Sequence, residues 1–510
     1  MAPPTAGPTI PGMAARRRRR YRWAVTADDP SETGLPAAPA GRESGVRTDA
    51  AAVVAALTDD LRADQVVTDP DVMAGLAHDD AEWAPWQLPI AVVRAESAAD
   101  VQSAVQVAID HHAPVIPRGS GTGLSGGANA TSGSIIVDVS RMDQIKIIEP
   151  VERYAVVGPG VINDVLRAAC ADRGLWYPPD PASSPWSSIG GNVATNAGGV
   201  CCVKYGVTRD YVLALELVNG RGEIVRVGRR TAKGVAGYDL TSLVVGSEGT
   251  LGIITEITVR LRQQRAPEHT IVGYFDSITD AGVAVTKIAE AGITPSALEL
   301  VDRQCLEAVD AWKNMGLSAD ADVILLGRTD APGEAGSTEA QAIAAAFDAG
   351  GATWSASTDD QEEGDALFAA RRLAYPALER LGPVLTEDIC VPIAAVPTML
   401  ARIQQIAVDH RTTIANIAHA GDGNLHPLLI TPIGDEDARI RAQQAFADII
   451  AGCLELGGTV TGEHGVGLLK LPGLSGELSP EVQRMQAALK AALDPYGILN
   501  PGKAITAVAI

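Results

Sequence analysis

The chain has 510 residues, 46% of them hydrophobic and 20% charged, with a formal net charge of −21. That length predicts two or three domains with substantial cores, and that composition predicts a soluble globular protein. The negative balance argues against a general nucleic-acid binder, and no apolar run reaches the roughly 18 residues of a transmembrane helix.

Residues 1–48 are rich in Pro, Ala and Gly, carry the run Arg16–Arg20 and lack periodic apolar positions. They predict a disordered tail. No apolar stretch follows the arginines, so neither a secretory nor a twin-arginine signal is indicated, and Met13 is an alternative start. Ser97 is placed to cap a helix whose residues Val101, Ala104, Val105, Ala108 and Ile109 keep the i, i+3, i+4 spacing of a buried stripe. A strand over 114–116 delivers the first of three glycine-rich segments, Pro117-Arg118-Gly119-Ser120-Gly121-Thr122-Gly123, and a strand over 135–139 leaves it. Gly121, Gly123 and Gly126 match G-x-G-x-x-G. A dinucleotide fingerprint needs a helix to open there, however, and residues 128–133 read as turn, so NAD is not implied.

A helix over 162–173 and the stretch Pro178-Pro179-Asp180-Pro181 lead to the second segment, 189–199, which contains Gly190, Gly191, Asn192, Thr195, Asn196 and Gly198. Strands over 214–218 and 224–227 turn at Asn219-Gly220. The third segment, 245–254, follows with Glu248, Gly249, Ile253 and Ile254, and a strand over 255–261 closes this portion. All three segments are expected at strand ends. One glycine loop cradles one phosphate; three predict several backbone stretches closing on one long, flat, phosphorylated ligand, because glycine lets bare N–H groups point inward.

From about 266 to 410, strands (270–275, 323–327) alternate with Ala-rich helices, the pattern of a separate α/β cap. Cys170, Cys201, Cys202, Cys305, Cys390 and Cys453 form no C-x-x-C pair. That disfavours a disulfide framework, a zinc ribbon or an in-chain iron–sulfur cluster, and suits a reducing cytoplasm. Cys201-Cys202 reads as packing rather than redox chemistry. The remaining chemistry lies in two segments, 416–427 and 461–467. His419 and His426 flank a Gly-Asp-Gly-Asn turn between β-type runs, and a hairpin there brings both imidazoles toward one point. Two His and a carboxylate can hold Zn²⁺, Mn²⁺ or Fe²⁺, and ligand type alone does not choose among them; the plainer alternative is a pair of structural histidines.

The order and wording of the glycine segments resemble the FAD-binding domain of the vanillyl-alcohol oxidase and p-cresol methylhydroxylase type. Within it they resemble the branch of D-lactate dehydrogenase (cytochrome) and the glycolate oxidase D subunit, over residues 60–503. The resemblance implies an α+β fold: a two-subdomain FAD-binding domain over 49–265, an α/β cap over 266–490, and a segment over 491–510 that returns to the FAD domain. It implies FAD held non-covalently, because the first segment lacks the histidine that covalent members often carry. The pyrophosphate is expected on the backbone of residues 119–123 and the isoalloxazine against the second and third segments. Gly126, Pro179, Asp180 and Asn500 complete the expected cofactor contacts.

The resemblance further implies that His419, His426 and Glu463 bind a divalent metal, zinc or manganese, and that His464 is the catalytic base. Residues 365–372 resemble the family segment whose first arginine binds the substrate carboxylate, which points to Arg371; the alternative is two arginines on a solvated helix face. Hydroxyglutarate-specific relatives carry a lysine near Thr386, and its absence points to a monocarboxylate. The implied activity is FAD-dependent oxidation of a D-2-hydroxy acid, D-lactate or glycolate, to the 2-keto acid by hydride transfer to flavin N5. The implied acceptor is a cytochrome, a quinone or an iron–sulfur subunit. The implied location is the cytoplasm, with room for a peripheral place at the inner face of the membrane. Two alternatives stand beside this: a catalytic subunit idle without an iron–sulfur partner, and a non-redox FAD enzyme of the alkyl-dihydroxyacetone-phosphate synthase type.

Overall fold

The computed structural model describes residues 48–505. The expectations for the tail therefore fall, but for Thr48, outside the described residues. Two larger sheets and a two-stranded one, Leu175–Trp176 with Arg262–Gln263, precede residue 264. In the first, Val66–Val67 pairs antiparallel with Ala91–Arg94, which runs parallel to Ile135–Asp138, which in turn runs parallel to Val115–Arg118. The helix Ala98–His111 covers this sheet. It opens on a full capping box, Ser97 with Asp100, and buries Val101, Ala104, Val105, Ala108 and Ile109. The second sheet is antiparallel, in the order Ile145–Glu149, Tyr154–Val157, Ile253–Arg260, Val212–Val218, Ile224–Gly228.

The remaining large sheet is antiparallel throughout. Its order is Trp354–Thr358, His269–Phe275, Val323–Thr329, Ala297–Asp302, Thr413–His419, Asn424–Ile430, Val384–Thr386, with Ile389–Cys390 also on Asn424–Ile430. Side chains alternate between its faces. Leu298, Leu300, Ala418, Leu425 and Leu429 pack under the helices Ile278–Glu290, Glu334–Ala349 and Val396–His410. Ala297, Val301, Ile417, Leu428 and Ile430 face the opposite way, onto the helices Arg303–Lys313 and Ala374–Glu379.

The chain end returns to the first sheet. Leu499 bridges parallel to Val115, whose N–H donates to Ile498 O at 2.7 Å, while Asn500 N donates to Val115 O at 2.8 Å. Buried Ile498 and Leu499 join that sheet's core.

One expectation about the glycine segments needs correction. The second is a short helix, Ile189–Thr195, rather than a loop at a strand end. Ser188 caps it through Gly191 N, and Gly190 sits where a Cβ would strike Pro159, so close packing and the cap override glycine's poor helix propensity. The third follows another short helix, Leu240–Val244, and feeds the strand that starts at Ile253. After the first segment, residues 119–134 form no helix.

Candidate functional site

A cavity of about 1060 Å³ is walled by all three glycine segments on one side and by the large sheet on the other. Its size lies at the upper end of small-molecule sites, as a long cofactor with a substrate requires. The first segment, Pro117 to Gly123, lines it, together with Gly190, Gly191, Asn192, Thr195, Gly198, Glu248, Gly249, Ile253 and Ile254. Ser188 Oγ ties the first two walls together, accepting from Ser120 N at 3.4 Å and Gly191 N at 3.3 Å.

Five residues expected at the cofactor do not line the cavity. Asn500 Nδ2 donates to Gly127 O at 2.9 Å and Glu248 O at 2.7 Å, and so joins the first and third segments. Half-buried Asp180 accepts from Cys201 N at 3.1 Å, and Pro179 O accepts from Asn163 Nδ2 at 3.2 Å. Asn196 closes the helix of the second segment in the left-handed region and accepts from Arg209 N at 2.9 Å. Gly126 packs against Ala84 and Leu468. Glu248 does reach the wall, but its carboxylate accepts from Val466 N at 2.8 Å and Gly467 N at 2.9 Å. All six cysteines are free, and burial pushes the Cys201 and Cys202 thiols well up, as packing residues require.

Strand register assembles the chemistry at the sheet wall. Glu299, His419 and His426 lie on the same face as Ala297, Ile417 and Leu428, because each is two residues from one of them. Glu299 pairs directly with His419, and His426 pairs with Ile417, which makes the two imidazoles diagonal neighbours. Glu463 and His464 arrive on an irregular loop. The result is a convergence on one oxygen: Glu463 Oε1 lies 3.2 Å from His419 Nε2, 3.3 Å from His426 Nε2 and 3.8 Å from His464 Nε2. Gly198 makes room for it, since a Cβ there would collide with Glu463 Oε2.

Two buried carboxylates that the sequence reading did not single out organise this group. Glu299 Oε1 lies 2.7 Å from His419 Nδ1, and its Oε2 lies 2.8 Å from Arg371 Nε. A glutamate in the otherwise apolar stretch Ala-Leu-Glu-Leu-Val was the available signal. Asp388 accepts from Thr461 Oγ1 at 2.6 Å, His464 N at 2.8 Å, Asn424 Nδ2 at 2.8 Å and Lys470 Nζ at 3.1 Å. With His426, Glu463 and His464 it forms a four-residue set whose ligating atoms all lie within 4.8 Å of one another. Arg371, at the end of the helix Gln361–Arg372, is 7% exposed and lines the cavity, whereas Arg372 is exposed. The solvated-face alternative therefore does not describe Arg371. Nearby, Thr386 Oγ1 donates to Tyr375 Oη at 3.3 Å.

The electrostatics separate the three histidines. Burial holds the His464 imidazole down to about 4, with the charge of His426 adding to the effect against Asp388. Burial also works against the cationic form of His419, but Glu299 and Glu463 on its two nitrogens outweigh it and raise it well above the ordinary value. Glu463 is held far below the ordinary carboxyl range despite its burial, mainly by His419.

Residues 89–228 match the FAD binding domain family, and residues 266–504 match the C-terminal domain of FAD linked oxidases. The chain belongs to the FAD-linked oxidases, flavoprotein oxidoreductases with the fold expected from the glycine segments. It is 43% identical over 418 residues to glycolate oxidase subunit GlcD of Bacillus subtilis, covering 82% of this chain and 89% of that protein. It is 33% identical over 417 residues to D-lactate dehydrogenase of Archaeoglobus fulgidus, covering 81% and 91%. The solved structure of p-cresol methylhydroxylase superposes with a TM-score of 0.75 at 17% identity, covering 89% of this chain and 96% of that one, a likeness of fold. No helix among the described residues is long and apolar enough to cross a membrane.

Proposed function

We propose that the protein oxidises a D-2-hydroxy acid with one carboxylate, of the D-lactate or glycolate kind, to the 2-keto acid. The observation that carries this is the convergence of three imidazole Nε2 atoms on Glu463 Oε1, opposite the glycine walls and beside a buried arginine. The names of the relatives, a glycolate oxidase subunit and a D-lactate dehydrogenase, support it.

The donors are of the kind that hold a divalent metal, although the ligating atoms that all lie within 4.8 Å of one another are those of His426, Glu463, His464 and Asp388, without His419. The 3.2 and 3.3 Å separations from Glu463 Oε1 to His419 and His426 match the edge, about 3.3 Å, of a tetrahedron with bonds of about 2.0 Å. His464 stands farther off at 3.8 Å. His419, His426 and Glu463 would thus hold zinc or manganese, leaving His464 free as the base. Glu299 fixes the His419 ring from behind, as outer carboxylates do for metal-bound histidines. When bound, the flavin supplies the hydride acceptor and the metal a Lewis acid for the substrate hydroxyl.

The chain's own groups supply the rest. Arg371 engages Glu299 through Nε and leaves its terminal nitrogens for the substrate carboxylate. His464, neutral at physiological pH, takes the hydroxyl proton as the C2–H bond breaks. Thr386 and Tyr375, hydrogen-bonded to each other, offer no second cation, which suits a monocarboxylate. FAD is bound without a covalent link, since residues 118–123 hold no histidine. The electrons pass to a cytochrome, a quinone or an iron–sulfur subunit in the cytoplasm or at the inner membrane face.

Two measurements test this reading. Steady-state assays should show turnover of D-lactate or glycolate with an artificial one-electron dye and none with NAD⁺; turnover of L-lactate alone would refute the stereochemical assignment. His419→Ala and His426→Ala should lose metal, read by elemental analysis, with rate partly restored by excess Zn²⁺ or Mn²⁺. Full metal content in both variants would remove the metal site from these residues.

A further inference from the structure

The loop that carries His464, Thr461 to Gly467, has neither helix nor strand to hold it. Its backbone N–H groups instead divide between two buried carboxylates from opposite sides of the cavity. Asp388, beside the large sheet, accepts from Glu463 N at 3.1 Å and His464 N at 2.8 Å. Glu248, in the third glycine segment, accepts from Val466 N at 2.8 Å through Oε1 and from Gly467 N at 2.9 Å through Oε2. Between the two pairs lies Gly465, at φ +84°, where a Cβ would stand 3.0 Å from the Glu248 carboxylate. Only glycine suits that place, because the backbone is left-handed and the space is taken.

Glu248 is tied in turn to the walls. It adopts φ +51°, its N–H donates to Ala194 O in the second segment at 2.8 Å, and its carbonyl accepts from Asn500 Nδ2 at 2.7 Å. A non-glycine residue in the left-handed region persists only when its surroundings hold it there, and these three sets of bonds do so. Ser125, just past the first segment, adds to the grip: its Oγ donates to Gly465 O at 2.8 Å and its carbonyl accepts from Leu468 N at 2.7 Å.

We infer that Glu248 and Asp388 are positioning residues that clamp the His464 loop between the glycine walls and the large sheet, so that the segment lining the cofactor cavity also sets the place of the base. This rests on His464 being the base. Each side chain accepts hydrogen bonds from two backbone N–H groups, Asp388 as a carboxylate held well below its ordinary range and Glu248 through both of its oxygens. A base displaced by an ångström loses much of its effect, which is the reason to hold the loop from both sides.

The test uses FAD-loaded Glu248→Gln, which keeps the shape but presents an amide group to one of the two N–H donors. FAD content should stay within about twofold and KM within about threefold, because Arg371 lies on a separate helix. Flavin reduction at saturating substrate should slow by roughly 10- to 100-fold. Amide hydrogen exchange in the peptide spanning 461–469 should speed up by about tenfold or more. Gly465→Ala, which pushes the two halves apart from the other side, should reproduce both effects, and it carries the test if Glu248→Gln does not fold. Unchanged exchange in the folded variant overturns the clamp, and so does a wild-type reduction rate when His464→Ala itself reduces slowly. His464→Ala, run in parallel, keeps the two ideas apart. If it reduces its flavin normally the base assignment fails, while faster exchange in Glu248→Gln still upholds the two-sided grip on the loop.

Discussion

His464→Ala keeps its FAD and its metal and reduces its flavin roughly 10²–10⁴-fold more slowly than the parent protein, the usual contribution of a general base. Its backbone N–H, rather than its ring, bonds to Asp388, so the loop keeps that anchor when the imidazole is removed. The ring lies beside Glu463 without the close approach of His419 and His426, so the proposed ligand set survives the substitution. The pH profile follows from the same burial. The base works only unprotonated, and its imidazole is held down to about 4, so kcat/KM should be flat at neutral pH and fall as pH drops toward 4. If His464→Ala reduces its flavin at the parent rate while His419→Ala does not, the proton goes elsewhere and the assignment is wrong.

Arg371→Met should lower kcat/KM by about 30- to 900-fold, mostly through KM, with metal and FAD retained. Losing one charge-assisted, two-pronged contact costs about 2–4 kcal/mol of transition-state binding, and each 1.36 kcal/mol is about tenfold. Arg371→Lys should recover only part of this, because an ammonium cannot reproduce the planar fork. A second effect accompanies the first. Glu299 is fully buried and loses the cation at its Oε2, so the variant should also unfold at lower temperature. Near-normal steady-state kinetics in Arg371→Met would transfer the carboxylate to Arg372 or to another group.

Local patterns carried much of this architecture. The capped helix after Ser97, the strands on either side of the first glycine segment and the hairpin that brings His419 near His426 all follow from spacing and turn chemistry within a few residues. What stayed hidden depends on pairing across long separations. Glu299 meets His419 from 120 residues away, and Glu248 meets Val466 across 218. No local rule reports such partners. Glu248 shows the consequence most clearly: its place in a glycine-rich segment suggested a cofactor contact, yet its carboxylate is spent on the backbone of another loop. Asn500 and Asp180 likewise engage their side chains with other parts of the walls.

The proposed reaction takes the C2 hydrogen from a D-2-hydroxy acid in this cavity. The measurement that tests it most directly is anaerobic rapid mixing of the FAD-loaded protein with D-lactate, glycolate and L-lactate, followed at the flavin absorption band. D-lactate or glycolate should bleach the flavin, deuterium at C2 should slow that bleaching, and L-lactate should leave the band unchanged over the same time. A flavin that stays oxidised with both D-lactate and glycolate, in protein loaded with FAD and metal, would contradict the account.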